Sequence, residues 1–404
     1  MQMKRTNHNM IDVVSAGPGN EDLLTIQARK ILDEAQVVFC ARRNENLVAS
    51  ADKRRPLTPF SAALEEMETL RKSGLRIAVL LSGDAGLYSL LPVLEEHFGP
   101  DALRVCPGIS SLQAFCARLC IPWQESRILS AHGRELTPSA LCDAVRNSRI
   151  TLLLLDGDHD PQWIRRSLDD GGLNRAIITV GERISYPDEQ IGPFEDREYD
   201  PLCIALIRNN QAEKTTRVFG LPDDAFARGK TPMTKKEIRV LIASELNLPR
   251  DAIVWDIGAG TGSVTVECAL QCPLGEVYAV EKDPDALGLI SENIQRFALQ
   301  NVHVVSGNAP GVLESLPVPT HVFLGGTGGN GEQIISLLDQ FGKAIRLCGT
   351  TVTMESMQEY FHLLRNRKDF SAIQVAVSRV EPVGDYHMLR AGNPVFVFSA
   401  EVGS

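Results

Sequence analysis

Val254-Trp255-Asp256-Ile257-Gly258-Ala259-Gly260-Thr261-Gly262-Ser263 is an apolar run entering a glycine-spaced turn, the pattern of a β-strand that turns into a helix at a nucleotide site. Glycines at 258, 260 and 262 let the backbone turn sharply and approach a ligand where a Cβ would clash. About 20 residues on, Tyr278-Ala279-Val280-Glu281 reads as a second strand ending in a carboxylate, placed like the ribose-binding acid of such folds. A dinucleotide site spaces its glycines G-x-G-x-x-G and aims a helix N-terminus at a pyrophosphate. This turn is G-x-G-x-G. An ordinary glycine-rich turn explains the glycines alone, whereas strand, turn, helix, second strand and acid in this order favour a binding site.

Outward from that stretch the alternation continues: helix 234–246, strand 253–257, helix 263–271, strand 276–281, helix 284–297, strands 302–305 and 320–324, helix 330–341, strand 345–353, helix 355–364, then strands 373–380 and 394–400. Helical and strand periods alternating in this way predict an α/β doubly wound sheet. The amino half opens with a strand at Ile11–Ala16, a turn at Gly17-Pro18-Gly19-Asn20, a helix and a strand at 37–40. Strand-like runs at 77–81, 103–106, 151–155, 177–180 and 202–207 follow. Several end in Gly/Pro turns, which marks a ligand edge. Periodicity fails after Asn209, so the expected division is a domain over 1–210, a linker over 211–228 and a second domain over 229–404.

At 404 residues the chain is too long for one ordinary core. With 44% hydrophobic and 23% charged residues and no apolar run of ~18, it reads as a soluble, cytoplasmic protein with no membrane partner. Nine cysteines are scattered, with Cys116/Cys120 and Cys268/Cys272 at helical spacing, and read as reduced core thiols rather than metal ligands. No second His or Cys stands at ligand spacing from His132 or His159, so no metal site is expected. A net charge of −10 argues against a nucleic-acid partner.

The carboxyl half resembles the C15-methylating, decarboxylating methyltransferases of cobalamin synthesis, a class I S-adenosylmethionine fold. The residues that carry the likeness are Gly229-Lys230-Thr231-Pro232-Met233-Thr234-Lys235-Lys236-Glu237-Ile238-Arg239, Asp256 to Gly262, Glu281, Gly307-Asn308-Ala309-Pro310 and Phe323-Leu324-Gly325-Gly326. The amino half resembles the tetrapyrrole methylases, a two-lobed fold. Its marks are Ala16-Gly17-Pro18-Gly19, Ser82-Gly83-Asp84-Ala85-Gly86-Leu87-Tyr88, Pro107-Gly108-Ile109-Ser110-Ser111, His132-Gly133-Arg134 and Gly181-Glu182-Arg183. Ala85 stands where that family often has proline.

These resemblances imply one S-adenosylmethionine per domain. In the amino half it would be held by Gly83, Asp84, Gly86, Leu87, Ser110 and Ser111, and in the carboxyl half by Thr234, Gly258, Ala259, Gly260, Thr261, Gly262, Glu281, Asn308 and Ala309. They imply a precorrin tetrapyrrole substrate, methylated at carbons 5 and 15 with loss of the ring-C acetate carboxyl, and a homo-oligomer. Expected substrate contacts are Gly17, Pro18, Gly19, Gly325 and Gly326, with Arg134, Arg183 and Arg239 as candidate cations for its carboxylates. Asp84 is read either as a ligand residue or as a helix cap. Arg42-Arg43 reads as a solvated face. A cobalt-containing precorrin substrate, or an S-adenosylmethionine methyltransferase or binder acting on another substrate, are the alternatives.

Overall fold

The computed structural model describes residues 10–133, 135–212 and 219–403. The chain divides into two compact units, one of Met1–Leu136, Ala144–Arg166 and Arg175–Ala212, the other of Thr137–Asp143, Ser167–Asn174 and Glu213–Ser404.

The first unit opens with five short strands, β1 (Ile11–Ser15), β2 (Val37–Cys40), β3 (Arg54–Pro56), β4 (Ile77–Leu81) and β5 (Leu103–Cys106), all parallel in the order β3-β2-β4-β1-β5. Helices α1 (Ile26–Glu34), α2 (Phe60–Lys72) and α3 (Leu91–Phe98) connect them. Side chains alternate along a strand, so Val13, Phe39 and Val79 meet Met67 of α2 and Leu94 of α3 on one face, while Val14, Val38 and Leu80 meet Ala28 and Leu32 of α1 on the other. Both faces are covered, which is why these strands read as continuous apolar runs.

A second sheet holds β6 (Arg127–Ser130), β7 (Ile150–Leu154), β8 (Ile177–Glu182), β9 (Gln190–Pro193) and β10 (Cys203–Arg208), in the order β6-β7-β10-β8-β9. Here only β6 and β7 run parallel. Helix α4 (Ser111–Arg118) precedes these strands in the chain, and α5 (Pro138–Arg146) and α6 (Pro161–Asp170) come between them, with part of each of these two in the second unit. Phe115 of α4 packs with Leu152, Ile184, Ile204 and Leu206 as the core of this lobe.

The second unit is a seven-stranded sheet with helices α7 (Lys236–Leu246), α8 (Ser263–Gln271), α9 (Pro284–Arg296), α10 (Gly331–Gln340) and α11 (Met354–Leu364). Its strands are β11 (Ile253–Ile257), β12 (Glu276–Glu281), β13 (Val302–Ser306), β14 (His321–Leu324), β15 (Ile345–Thr351), β16 (Lys368–Val375) and β19 (Val395–Val402), in the order β13-β12-β11-β14-β15-β19-β16. Strand order reverses between β11 and β14, and in such sheets the ligand crevice opens at that switch point. Trp255, Ile257 and Leu324 face α10 and α11, while Val254, Phe323 and Cys348 face α7 and α8.

The expected strand 373–380 is two strands. β16 ends at Val375, and β17 (Ser378–Val383) pairs instead with β18 (Tyr386–Ala391) in a separate exposed ribbon. No helix among the described residues is long and apolar enough to cross a membrane. All nine cysteines are free thiols, and all but Cys120 are buried.

Candidate functional site

Because β1 lies between β4 and β5, the turns after these three strands sit side by side at one sheet edge. Gly17 and Gly83 clasp each other there, each amide donating to the other's carbonyl at 3.1 and 2.8 Å. Both have positive φ, 72° and 69°, a conformation that costs a residue with a Cβ. The Ser15 hydroxyl donates to the Cys106 carbonyl and accepts from the Ala85 amide, both at 2.8 Å. Asp84 does the same work with charge: its Oδ1 accepts from Gly86 N and its Oδ2 from Gly108 N, each at 2.8 Å. Asp84 is thus a tie between two turns, not a helix cap. Gly108 must be glycine, since a Cβ would fall 2.5 Å from that of Ser15. Ser110 caps α4 reciprocally with Gln113, its Oγ accepting from Gln113 N while Gln113 Oε1 accepts from Ser110 N. Its polar atoms are therefore committed, and Ser111 beside it still lines the cleft.

This edge faces an open cleft. Gly17, Pro18, Gly83, Asp84, Leu87, Ser110, Ser111 and Arg183 line it, as do Arg43, Asn44, Tyr88, His132 and Tyr186, whose roles sequence reasoning missed. Gly19 abuts the Tyr186 ring, 2.5 Å from where its Cβ would stand, and Gly86 is at the exposed end of its turn. Arg183 is held by Asp188 at 2.7 Å and Asp200 at 3.6 Å, with its guanidinium 4.9 Å over Tyr186. Arg134 lies outside the described residues. His159 bonds Asp156 and the Leu136 carbonyl. Arg43, expected on a solvated face, stands at the cleft wall. The signal was available, because Arg43 follows a parallel strand whose end lies on the ligand edge.

In the carboxyl unit the glycine turn works by close backbone approach. Gly258 N and Ala259 N donate to Val280 O at 2.9 and 3.1 Å, and Gly325 N to Ile257 O at 2.9 Å. A Cβ on Gly258 would lie 2.5 Å from Gly326 O, and one on Gly325 would lie 2.8 Å from Gly258 O. Gly325 is explained by this packing, whereas Gly326 has open space where a side chain would be. Gly262 packs on Ile290 of α9. Gly260 has a φ of 57°, and a Cβ there would come no nearer than 3.6 Å to Pro232 O and 3.7 Å to Thr231.

Glu281 spans the turn: Oε2 accepts from Gly260 N at 2.9 Å, and Oε1 from Lys282 N and Asp283 N at 2.7 and 3.0 Å. Behind it Asp256 is fully buried. Its Oδ2 accepts from Thr265 Oγ1, and among the described residues its Oδ1 and the hydroxyl of buried Thr261 have no hydrogen-bond partner. Burial pushes the Asp256 carboxyl up to about 7; the Thr265 hydrogen bond opposes this and the Glu281 charge adds to it. Asn308 is exposed and Ala309 buried at the neighbouring strand end, where Ala309 O accepts from Asn330.

Arg239 corrects the sequence reading. It is 1% exposed, paired with Asp223 at 2.8 Å and Glu267 at 3.2 Å, donates to the Thr234 and Leu221 carbonyls, and lies 4.6 Å over Phe226. With all three of its nitrogens engaged and no solvent access it cannot meet a substrate carboxylate. It anchors the segment before α7 instead. Buried Asn293 helps, accepting from Ala227 N at 2.7 Å and donating to Thr261 O at 2.8 Å, so the wall beside Gly260 is fixed to the glycine turn. Neither Asn293 nor Glu267 carries a sequence signal that separates it from a surface residue.

Residues 224–402 match the family of precorrin methyltransferase domains, and residues 10–196 the tetrapyrrole (corrin/porphyrin) methylases. Over 187 residues, 45% of this chain, it is 36% identical to the cobalt-precorrin-6B C(15)-methyltransferase (decarboxylating) of Salmonella typhimurium, 95% of which is covered. The chain belongs to the precorrin methyltransferases. It is also 27% identical to the precorrin-6Y C(5,15)-methyltransferase [decarboxylating] of a Sinorhizobium species, over 96% of this chain and 95% of that protein. The solved precorrin-6Y C5,15-methyltransferase of Geobacter metallireducens GS-15 is 34% identical, covering 46% of this chain and 97% of its own, with a TM-score of 0.43. The chain is thus a fusion of a tetrapyrrole methylase and a precorrin methyltransferase domain, and methylases of this family use S-adenosylmethionine.

The residues present fit that cofactor. In the carboxyl unit the open side of Gly260, the Glu281 carboxylate and the unpartnered Asp256 Oδ1 and Thr261 hydroxyl offer a cradle and polar atoms for a nucleoside and an amino acid. In the amino unit the cleft between Asp84, Leu87 and Ser111 offers the same mixture of backbone and polar groups.

Proposed function

We propose that the chain methylates precorrin-6Y at carbons 5 and 15 and removes the ring-C acetate carboxyl, giving precorrin-8, with one S-adenosylmethionine site in each half. The observation that carries this is the length of the likeness: a relative named for both methylations aligns with 96% of the chain, while one named for carbon 15 and decarboxylation aligns with only 45%. On this reading 1–210 acts at carbon 5, 211–228 link, and 229–404 act at carbon 15. Of that linker, 213–218 lie outside the described residues. Carbon 15 and the ring-C acetate are neighbours on the macrocycle, so one pocket serves both steps.

When bound, S-adenosylmethionine supplies a methyl group already activated on a sulfonium. What remains for the protein is alignment and exclusion of water. In the carboxyl half Gly258 and Gly325 bring two strand ends together, Glu281 receives the ribose, and the Arg239-anchored segment walls the cofactor side near Thr234. In the amino half Asp84 and Ser15 fix the relation of three turns around the cofactor. The ring-C carboxylate leaves as carbon dioxide once the conjugated ring can take up its electron pair, and the protein's part is to orient and desolvate it. The chain is further read as a cytoplasmic homo-oligomer with no nucleic-acid or membrane partner. Exposed Val380, Tyr386 and Leu389 on the β17–β18 ribbon support self-association, and the net charge of −10 opposes polyanion binding.

The test is incubation of the full chain with S-adenosylmethionine and either a cobalt-free or a cobalt-containing precursor, followed by mass spectrometry. Two methyl groups gained and one carbon dioxide lost are expected from the cobalt-free substrate. A single methyl gain, or turnover of the cobalt-containing substrate alone, overturns the assignment.

A further inference from the structure

The tetrapyrrole of the proposed reaction is a polycarboxylate, yet the cations at the amino cleft are not equivalent. Arg183 is already neutralised by Asp188 and Asp200. Arg43 is exposed, lines the same cleft, and among the described residues has no carboxylate partner. Its Nε donates to Ser82 Oγ at 3.0 Å, and Asn44 Nδ2 donates to that same oxygen at 3.0 Å. Asn44 is 2% exposed, so the hydroxyl that holds Arg43 is itself held from a buried position. The stem of the guanidinium is thereby fixed, and its two terminal nitrogens, the fork that grips a carboxylate bidentately, are left to the cleft. His132 also lines the cleft, with no ring hydrogen bond among the described residues. Burial, with the Arg43 charge, holds that imidazole below its ordinary 6.5 against the opposing pull of the Asp156 carboxylate. A neutral ring still offers one N–H donor.

Place in the sheet separates this pair from the cofactor residues. The Asp84, Gly108 and Ser110 turns follow β4 and β5, gathered around β1, whereas Arg43 follows β2 on the opposite flank of β4. We propose that Arg43, assisted by His132, is a carboxylate-binding subsite for an acetate or propionate side chain of the tetrapyrrole substrate in the amino half, distinct from the cofactor's own carboxylate. The subsite rests on the reading of the amino half as a tetrapyrrole methylase. It also answers how a protein of net charge −10 receives such a substrate: one unneutralised guanidinium, fixed at the wall, outweighs distant acidic groups that solvent screens.

The experiment uses the full chain and two probes, an eight-carboxylate porphyrin followed by absorbance and S-adenosylmethionine followed by calorimetry. Loss of one charge-assisted hydrogen-bonding group at a solvent-accessible site weakens binding about tenfold. Arg43→Gln is therefore expected to weaken porphyrin binding about tenfold, Arg43→Lys to recover part of it, and both to leave cofactor affinity unchanged. In turnover, Arg43→Gln should raise KM for the tetrapyrrole in carbon-5 methylation with kcat within about twofold. Any porphyrin site in the carboxyl half adds a phase that the substitution leaves alone. Porphyrin binding equal to wild type in Arg43→Gln, or weakened cofactor binding, overturns the subsite. A wild-type chain that binds porphyrin yet never methylates carbon 5 defeats the functional reading instead, and the Arg43→Gln titration still decides the subsite.

Discussion

The two ligand edges of this chain are built by opposite means. At the amino edge, turns from three strands are tied by side chains: Asp84 accepts two amides and Ser15 bridges two backbone groups. At the carboxyl edge the strand ends are joined by glycine backbone meeting glycine backbone, with Gly258 against Gly325 and Gly326. An edge held by absent side chains fails when a Cβ is added, and one held by a carboxylate fails when the carboxylate is removed.

The largest effect expected is from Gly258→Ala. Its Cβ would stand 2.5 Å from a backbone oxygen at a φ of 72°, so the two strand ends must part. Displacement on that scale costs about 100-fold or more in rate. Mass spectrometry should show the carbon-15 methyl and carbon dioxide release lost with the carbon-5 methyl retained. Gly260→Ala should be milder, because its neighbours lie 3.6 Å away, while Gly260→Val adds bulk on the open side and should abolish cofactor binding in this half. Equal effects of the two alanine substitutions would show that conformation, not contact, governs the turn.

Arg239→Met comes next, and it sharpens the contrast between buried and exposed cations. It leaves the Glu267 carboxylate, 2% exposed, without its cation and held only by the Gly220 and Leu221 amides, and breaking such a buried pair costs up to about 3–5 kcal/mol. The unfolding transition of the carboxyl half should fall accordingly. A raised KM for the tetrapyrrole at unchanged melting would restore Arg239 as a substrate contact.

A third test uses pH. Asp256 titrates near 7 in the folded chain against an ordinary 3.8, so the folded form holds its proton more tightly than the unfolded one. The stability this provides is full below about pH 4 and is lost as pH rises toward 7. At 1.36 kcal/mol per unit it amounts to about 4 kcal/mol at most. Asp256→Asn, which cannot ionise, should flatten the decline in denaturant-measured stability between pH 4 and 7. An unaltered slope would mean that Asp256 is ionised when folded.

How much of this was legible depended on whether the signal was local. The runs 77–81 and 253–257 announce buried parallel strands, because burial on both faces leaves no polar alternation. The G-x-G-x-G turn marks its own close approach. The β17–β18 ribbon was not legible, since Arg379, Glu381 and Arg390 break up an apolar period that no core enforces. Arg239 was misread because a charge looks the same in sequence whether buried or solvated; only Asp223 and Glu267, 16 and 28 residues away, decide it. Arg43, His132 and Tyr186 reach one cleft from three distant loops, and no spacing rule joins them.

Asp84→Ala should have the smallest effect of these and bears most directly on whether the halves act independently. The carboxylate holds Gly86 N and Gly108 N, each at 2.8 Å; alanine releases both turns without adding bulk, so the sheet beneath them is undisturbed. Charge-assisted hydrogen bonds of this kind are worth about 1.5–3 kcal/mol each, part of which water restores at a half-exposed site. A fall of about 10- to 100-fold in carbon-5 methylation is expected, with carbon-15 methylation and carbon dioxide release within about twofold of wild type. The isosteric change Asp84→Asn is informative as well: the carboxamide oxygen can still accept one of the two amides but not both, so its loss should lie between wild type and alanine. If carbon-5 and carbon-15 methylation fall in parallel when Asp84 is replaced, the two edges do not work as separate sites and the division of labour proposed for the halves is wrong.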